Sequence, residues 1–418
     1  MIALADCNNF YASCERVFNP ALKNKALIVL SNNDGCVIAR SNEAKAIGIQ
    51  MGEPVFKARK LIEKNNVTVF STNFALYGDM SKRVMSLLSN MSPDIEIYSI
   101  DEAFMDFSGI KNYLRLGLEM RDVVLKHTGI PISVGIAKTK TLAKVANHFA
   151  KRHTKKDIYI LDSESKISSV LKLMPVSKIW GIGSQYAKML NSYGVKSASD
   201  FILLDEGWVL KKMTIAGLKM QRELKGEPCI SLDTSPSRKK SICTSRSFGV
   251  KVTQLQVLKE SISSHAARCA EKLRLEQGCA RYVSVIIKTN PFSELDGYYH
   301  GYKTMNFNTP TNDTMDIVGA AETLLKSIYK KGFIYKKSGV IIGDIIPQNQ
   351  IQLNMFDVDQ NKAKRDSLNS AVDFINKAIG KDTVYIGSQG IAREWQLKRE
   401  KLSPCYTTKW NDLLTVRC

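Results

Sequence analysis

Two short apolar runs meet at a pair of acids in the stretch Glu96-Ile-Tyr-Ser-Ile-Asp-Glu-Ala-Phe-Met-Asp-Phe107. The length and residue types of each run are typical of a strand, so the stretch predicts two strands joined by a tight turn at Asp101 and Glu102. A buried strand is also predicted from Ile2 to Asp6, and it ends on another carboxylate. A sheet built from these strands would bring the three acids together.

Carboxylates at the ends of strands are a common way to hold Mg²⁺, which prefers oxygen ligands. Two such ions about 4 Å apart can activate an attacking hydroxyl and neutralise a departing pyrophosphate. Neighbours on a regular strand face opposite sides, so Asp101 and Glu102 converge only if the backbone turns there, and one of them should contribute more weakly. The alternative is a pair of solvated turn acids, which is the more common meaning of an isolated Asp-Glu pair.

Short strands alternate with helical stretches through the first part of the chain. Further strands are predicted at 26–30 and 131–137, and a basic helix follows from about Thr139. This alternation indicates a mixed α/β sheet domain. From about Ser165 the pattern becomes helical.

A polar, basic and proline-containing segment, Asp233-Thr-Ser-Pro-Ser-Arg-Lys-Lys240, predicts a linker. A second α/β unit follows it. The first helix of that unit is predicted to begin at Thr253, with Gln256 completing a capping box. Later apolar spacing predicts a second helix and three strands, at 282–288, 302–307 and 340–346.

The composition is that of an ordinary globular protein, with 44% hydrophobic and 24% charged residues over 418 positions. A chain of this length predicts two to four domains. No apolar run approaches the roughly 20 residues that cross a bilayer, and the N-terminus does not resemble a secretory signal, so we expect a cytoplasmic protein. The nine cysteines include no Cys-x-x-Cys pair, which favours reduced thiols over a disulfide framework or a zinc site.

Positive charge is concentrated outside the first 150 residues. The formal net charge is +20, of which residues 1–150 contribute +4, residues 151–240 contribute +8 and residues 241–350 contribute +5. Such a distribution suits a long polyanion that runs across several domains. A generally basic surface without a nucleic-acid partner is the alternative, and charge alone does not decide between them.

Several long motifs resemble those of the Y-family DNA polymerases. They are the two acidic motifs Asp6-Cys-Asn-Asn-Phe-Tyr-Ala-Ser13 and Ser99-Ile-Asp-Glu-Ala-Phe-Met-Asp106, the run Ser31-Asn-Asn-Asp-Gly-Cys-Val-Ile-Ala-Arg-Ser-Asn-Glu-Ala-Lys45, the run Ser133-Val-Gly-Ile-Ala-Lys-Thr-Lys-Thr-Leu-Ala-Lys144, and Trp180-Gly-Ile-Gly183. Within the family the sequence is most similar to the UmuC type, the catalytic subunit of the bacterial SOS mutagenesis polymerase. Part of that similarity lies in the tail, Ser403-Pro-Cys-Tyr-Thr-Thr-Lys-Trp410. The resemblance covers nearly the whole chain.

The resemblance implies a set of site residues. Asp6, Asp101, Glu102 and the Cys7 backbone carbonyl would bind two Mg²⁺ ions. Tyr11, beside Phe10, would lie under the sugar of the incoming nucleotide and exclude a 2′-hydroxyl. Lys45 and Lys151 would bind the triphosphate, although many relatives have a tyrosine where this chain has Asn42.

Two of these assignments have simpler alternatives when the residues are considered alone. Considered alone, Tyr11 beside Phe10 is more typical of an aromatic pair in a protein core. Lys151 begins a basic cluster, Lys151, Arg152, Lys155 and Lys156, that would also suit a solvated helix end.

A helix-hairpin-helix is predicted at Gly181-Ile-Gly183, because a glycine turn between helices exposes backbone N–H groups to a DNA phosphate. Lys188 nearby fits this interpretation, and Lys140 and Lys144 are further candidate DNA contacts. A turn of this kind is also found in helical hairpins that bind nothing.

The segment Gln352-Leu-Asn-Met-Phe356 resembles the peptide with which bacterial polymerases bind the sliding clamp. Gln352, Leu353, Met355 and Phe356 would make the contacts, with aliphatic and aromatic side chains entering an apolar groove. Packing of this segment on its own domain is the alternative.

By resemblance the fold is an α+β right-hand polymerase. The predicted parts are a palm (1–10 and 75–164), fingers (11–74), a helical thumb (165–232), a basic linker (233–241), an α/β little finger (242–347) and a partner-binding tail (348–418). The predicted function is error-prone, DNA-directed DNA synthesis across lesions, in SOS mutagenesis and DNA repair. Primer-template DNA, deoxynucleoside triphosphates, the sliding clamp, a processed UmuD-type dimer and the RecA filament are the implied partners, at the nucleoid.

Two functions from other classes remain open. A nucleotide cyclase or cyclic-dinucleotide synthase uses a similar palm and acidic hairpin, but would not need the positive charge or the clamp-like peptide. A non-catalytic DNA-binding subunit would have no use for three convergent carboxylates.

Overall fold

The structure is a computed structural model that describes residues 1–92, 94–154, 156–235, 237–293, 297–352 and 362–415. The strands are, in chain order, β1 (Ile2–Cys7), β2 (Leu27–Leu30), β3 (Val37–Arg40), β4 (Thr68–Ser71), β5 (Ile95–Ile97), β6 (Glu102–Asp106), β7 (Ile132–Ala137), β8 (Ile158–Leu161), β9 (Ser241–Val252), β10 (Gly278–Thr289), β11 (His300–Thr311) and β12 (Tyr335–Pro347).

The α-helices are α1 (Phe10–Phe18), α2 (Asn42–Ala46), α3 (Val55–Lys64), α4 (Phe74–Ser89), α5 (Tyr113–Thr128), α6 (Lys140–His153), α7 (Glu164–Leu173), α8 (Ser184–Ser192), α9 (Ala198–Ile202), α10 (Glu206–Leu224), α11 (Leu255–Leu275), α12 (Thr314–Ile328) and α13 (Lys362–Ala378). Short 3₁₀ turns lie at Pro20–Leu22, Asn32–Asp34, Val176–Lys178, Gln348–Gln350, Gly387–Gln389 and Trp410–Asp412. The mixture of helices and sheets is the α+β class that the sequence predicts.

The chain forms two compact units. The first consists of Met1–Ser31, Gly35–Pro236 and Lys401–Cys418, and the second of Asn32–Asp34 and Ser237–Glu400. The border at 236 and 237 falls inside the segment for which the sequence predicts a linker.

A five-stranded sheet with the order β5-β6-β1-β7-β8 forms the centre of the first unit. β1 lies antiparallel between β6 and β7, and β5 and β6 form the predicted hairpin. A smaller sheet, β3-β2-β4, belongs to the same unit. Each of the strands predicted in this region is present, with ends shifted by one to three residues.

Both faces of the five-stranded sheet are covered, so side chains alternate between two cores along β1. Ala3 and Ala5 pack with residues of α4 and α5, whereas Leu4 packs with α6 and the helices beyond it. Asp6 is two residues after Leu4, so it points to the same side of the strand and lies on the face that α6 covers. A Cβ at Gly135 of β7 would collide with the backbone of α6 at Ala143 and Asn147. The glycine thus allows the helix to lie directly against the strand.

The second unit contains a four-stranded antiparallel sheet of order β11-β10-β12-β9, with α11 and α12 packed against it. The predicted strands are present but longer, and β9 was not predicted because Ser, Thr and Arg interrupt its apolar residues. The capping box at Thr253 is wrong. α11 begins at Leu255 without a side-chain cap, and the Thr253 carbonyl instead accepts a hydrogen bond from the Tyr329 hydroxyl at 2.9 Å.

Candidate active site

Asp6 and Glu102 lie directly opposite each other on the antiparallel strands β1 and β6. Partners of this kind on one face of a sheet have Cβ atoms about 5 Å apart, and here the two carboxyl groups share a hydrogen bond. Burial raises the pKa of Asp6 to about 7; the Lys151 ammonium opposes this shift and the bond to Glu102 adds to it. Two adjacent acids of this kind carry their full charge only beside a cation.

Helix α6 supplies cations to these acids. The Lys151 Nζ atom lies 2.6 Å from Asp6 Oδ1, and the Lys144 Nζ atom lies 2.6 Å from Glu102 Oε2. The Lys144 ammonium is also 4.6 Å from the centre of the Tyr98 ring, a cation–π distance. Lys144 and Lys151 are seven residues apart, about two turns, so one face of the helix places both over the strand ends.

Lys140 belongs to the same helix face but is buried, with a side chain only 3% exposed. Its ammonium forms an ion pair with the Glu96 carboxylate and donates to the Ser231 carbonyl at 2.7 Å. That Lys140 and Lys144 contact DNA stays a prediction, because in this structure both ammonium groups are paired with carboxylates. Each of the two lysines forms an ion pair with an acid of the hairpin, and the Lys140 side chain is buried.

Asp101 occupies the turn before β6 begins. Its carboxylate accepts a hydrogen bond of 2.6 Å from the Ser99 hydroxyl, and its backbone carbonyl accepts one of 2.8 Å from the Cys7 N–H. Across the described ranges, no three His, Cys, Asp or Glu side chains are grouped as a metal site. The arrangement is thus a carboxylate pair with a third acid held in the adjacent turn.

The oxygen atoms gathered at this end of the sheet are of the kind that bind a hard divalent cation. Asp6 and Glu102 present carboxylate oxygens side by side, and Asp101 and the Cys7 carbonyl are further oxygens at the same end of β1. Mg²⁺ takes oxygen ligands of this kind. The hydrogen bond between the two acids, and the lysine at each of them, indicate that positive charge is required there.

A second group of cations lies beside the acids. The Lys45 ammonium donates to the side-chain oxygens of Asn9 and Asn42. Burial lowers the pKa of Lys45, and the nearby charges of Arg40 and Lys151 lower it further. Such mutual repulsion between neighbouring cations is typical of a site that binds an anion.

Asn9 and Arg40 are residues of this group that the sequence reasoning missed. Asn9 is the N-cap of α1 in the left-handed conformation, with φ of 49°, which asparagine tolerates better than most residues. The Asn-Asn pair after β1 was a usable signal for such a turn. Arg40 ends β3, and no local pattern distinguishes it from other surface arginines.

Tyr11 and Phe10 occupy different environments. Phe10 is 3% exposed and its side chain belongs to the core of the first unit, and a contact of Phe10 with a nucleotide stays a prediction. Tyr11 is half-buried, and its ring stacks on that of Tyr77 with 4.4 Å between centroids and 17° between planes. The Asp101 charge and burial raise the pKa of Tyr11, burial having the larger effect. Of these two side chains, only that of Tyr11 is therefore available to a ligand.

The glycine turn of the predicted helix-hairpin-helix precedes α8. Gly181 has a φ of 91°, and a side chain there would meet Met220. Gly183 is the N-cap of α8, and both glycines and Lys188 are exposed. The backbone N–H groups at the start of this helix can therefore reach a phosphate.

The predicted clamp-binding residues Leu353, Met355 and Phe356 lie outside the described residues, and Gln352 is exposed beside them. Among the helices that are described, none is long and apolar enough to cross a membrane.

Sequence comparison decides the family. The impB/mucB/samB family matches residues 5–148, and its C-terminal domain matches residues 239–355. The chain belongs to the impB/mucB/samB family. A third match, to a domain of unknown function, covers residues 366–416.

Full-length relatives agree with this assignment. Protein UmuC of Salmonella typhimurium is 44% identical and protein ImpB of the same species is 41% identical, each alignment covering 100% of both chains. DNA polymerase IV of Desulfatibacillum aliphaticivorans is 27% identical over 92% of this chain and 95% of its own. This member of the impB/mucB/samB family is therefore a DNA-directed DNA polymerase of the Y family, of the UmuC type, and it acts on DNA. The cyclase and the non-catalytic subunit are excluded.

Solved structures share the fold. A Y-family DNA polymerase chimera of Dbh and Dpo4 superposes with a TM-score of 0.66 at 22% identity, over 83% of this chain and all of the chimera. DinB from Sulfolobus solfataricus superposes with a TM-score of 0.52 over the same shares. The predicted right-hand polymerase fold is confirmed.

Proposed function

We propose that this polymerase adds deoxynucleotides to a primer by a two-metal mechanism centred on Asp6 and Glu102, within the SOS response and mutagenic DNA repair. The observation that carries the proposal is the direct pairing of these two acids across β1 and β6, with Lys151 and Lys144 as their counter-charges. The resemblance to the UmuC type and the 44% identity to a protein of that name support the cellular role.

The metal site would use the carboxylates of Asp6 and Glu102, with Asp101 and the Cys7 carbonyl as further oxygen donors. Two Mg²⁺ ions bound there would supply activation of the primer hydroxyl and neutralisation of the leaving pyrophosphate. When no ions are bound, the ammonium groups of Lys144 and Lys151 hold the carboxylates of Glu102 and Asp6 in place.

The triphosphate would be bound by the cations around Lys45. Asn9 and Asn42 orient the Lys45 ammonium, while Arg40 and Lys151 add charge from β3 and α6. Asn42 thereby has a function different from that of the tyrosine in many relatives, since it holds the lysine. Tyr11 would lie under the sugar, where a phenol ring leaves no room for a 2′-hydroxyl.

DNA would be held mainly through its phosphates, without sequence preference. The exposed turn at Gly181 and Gly183, together with Lys188, offers N–H groups and charge to one strand. The excess of basic residues beyond position 150 would continue this track. Partners would be the sliding clamp at 352–356, an UmuD-type dimer and the RecA filament.

The number of metal ions can be tested by single-turnover addition of one deoxynucleotide to a labelled primer, measured against free Mg²⁺. Two ions predict that the rate rises more steeply than a single-site binding curve at low Mg²⁺. A curve that fits one site over the whole range would contradict the two-metal proposal. Template strands with and without an abasic site, run in parallel, test bypass under the same conditions.

A further inference from the structure

A buried hydrogen-bond chain joins the C-terminal segment to the catalytic unit. The Ser403 hydroxyl donates to Glu15 Oε1 at 2.9 Å, and the Tyr77 hydroxyl donates to the same oxygen at 2.6 Å. Glu15 is 2% exposed, Ser403 5% and Tyr77 0%. Burial raises the pKa of Glu15, and the two hydroxyl bonds counteract that shift. The carboxyl group therefore depends on both hydroxyls for its solvation.

The C-terminal segment is fixed at this place by further bonds. Asn73 donates from its side-chain nitrogen to the Ser403 carbonyl and to the Ser403 hydroxyl, each at 3.0 Å. The Lys401 N–H donates to the Ser71 hydroxyl at 2.9 Å, and the Ser71 N–H donates to the Lys401 carbonyl at 2.9 Å. Ser403 is thus held by a backbone pairing on one side and by an amide on the other.

Tyr77, at the other end of the chain of bonds, supports Tyr11. The two rings are stacked at 4.4 Å, and Phe74 meets the Tyr11 ring edge-on at 6.2 Å. Tyr77 is completely buried, and its bond to Glu15 anchors the hydroxyl end of the ring. A shift of the Tyr77 ring would move the surface on which Tyr11 rests.

We propose that Ser403, acting through Glu15 and Tyr77, is a positioning residue for Tyr11 and so sets the discrimination against ribonucleotides. This inference rests on the proposed gate role of Tyr11. It gives a function to part of the region 366–416, which matches a domain of unknown function. The Ser403 side chain is bonded to Glu15 and Asn73 and not to Asp6, Asp101 or Glu102, so its effect would pass through the aromatic pair.

The test measures kcat/KM for a deoxynucleotide and for the matching ribonucleotide in the full-length protein. Ser403→Ala and Tyr77→Phe break the same chain of bonds from its two ends. Thr128→Ala is the matched control, because the Thr128 hydroxyl is also buried and bonded, to the Val124 carbonyl at 2.7 Å, but lies outside the network. Melting temperatures of all variants separate loss of stability from loss of selectivity.

Ser403→Ala and Tyr77→Phe should each lower the discrimination about three- to tenfold, the range over which one net hydrogen bond shifts an equilibrium. Thr128→Ala should lower only the melting temperature. In a Tyr11→Ala background, adding Ser403→Ala should change the discrimination no further. The inference is overturned if Ser403→Ala keeps wild-type discrimination while Tyr11→Ala loses it, and the gate assignment then stands. If Tyr11→Ala itself keeps wild-type discrimination, the gate assignment fails and this inference fails with it.

Discussion

The ring of Tyr11 stacks on the ring of Tyr77, with 4.4 Å between the centroids and 17° between the planes. Tyr77 is wholly buried, whereas Tyr11 is half-exposed. One face of the Tyr11 ring is therefore fixed by the protein, and the rest of the side chain is available to a ligand close to Asp101.

Replacing Tyr11 by alanine should raise ribonucleotide incorporation sharply while DNA affinity stays near that of the wild type. A displacement of about 1 Å at the reacting atoms can change a rate on the order of a hundredfold, and this is the discrimination expected to be lost. The measurement is the ratio of kcat/KM for deoxynucleotide and ribonucleotide. A purely structural tyrosine would instead lower the melting temperature and leave that ratio unchanged.

The ion pair of Lys140 with Glu96 predicts an effect on stability rather than on DNA binding. Lys140→Met leaves the partly buried Glu96 carboxylate without its cation, which should lower the free energy of unfolding by up to about 3 kcal/mol, because Glu96 keeps the Asp233 N–H as a donor. The double variant Lys140→Met with Glu96→Gln should recover much of this loss. Urea unfolding measures the stability of the variants, and fluorescence anisotropy with labelled DNA measures their DNA affinity. Unchanged stability together with weakened DNA binding would show instead that Lys140 contacts DNA.

How far the sequence predicts this site depends on whether a feature is local. The acids at strand ends were predictable, because apolar runs bounded by turn residues determine where strands stop. Which acids face each other was not, since the register of β1 on β6 is set by the whole sheet. The environment of Lys140 was not predictable for a similar reason. Its sequence gives a charge on a helix, but its partners, Glu96 and the Ser231 carbonyl, are distant in the chain.

The contact between Ser403 and Glu15 could not be predicted from local sequence, since 388 positions separate the two residues. Neither residue has a local pattern that indicates a partner. The burial of Glu15, which requires a polar partner, is visible only in the structure.

His265 predicts a pH dependence of stability in the second unit. Burial lowers the pKa of His265 to about 3, with smaller contributions from Arg246 and Lys337. The unfolded chain takes up a proton near pH 6.5, and the folded chain does not, so stability is complete above that pH and falls as the pH drops toward 3. At pH 5 the loss should be about 2 kcal/mol.

Urea unfolding at pH 7 and pH 5, for the wild type and for His265→Phe, isolates this contribution from those of the carboxyl groups. The variant should lose less stability between the two pH values than the wild type. An equal loss in both proteins would show that His265 is not held neutral.

The clamp proposal predicts a separable defect. Leu353→Ala with Phe356→Ala should leave addition of one nucleotide unchanged and abolish stimulation by the sliding clamp, because only the docking side chains are removed. Leu368→Ala with Phe374→Ala is a control of matched composition, since both side chains are exposed on α13. Equal recovery of the clamp in pull-downs with both double variants would contradict the motif.

The central claim is that Asp6 and Glu102 form the catalytic metal site, and single-turnover nucleotide addition with Mg²⁺ tests it most directly. Asp6→Asn and Glu102→Gln keep the size of each side chain and remove its charge. Asp106→Asn is the matched control, because Asp106 lies at the opposite end of β6 and its carboxylate accepts from the Ser108 N–H at 2.8 Å. Each of the first two variants should lower the rate roughly a thousandfold without loss of DNA affinity, and Asp106→Asn should leave it unchanged. A rate within about tenfold of the wild type in Asp6→Asn or Glu102→Gln would contradict the assignment of this pair as the site of catalysis.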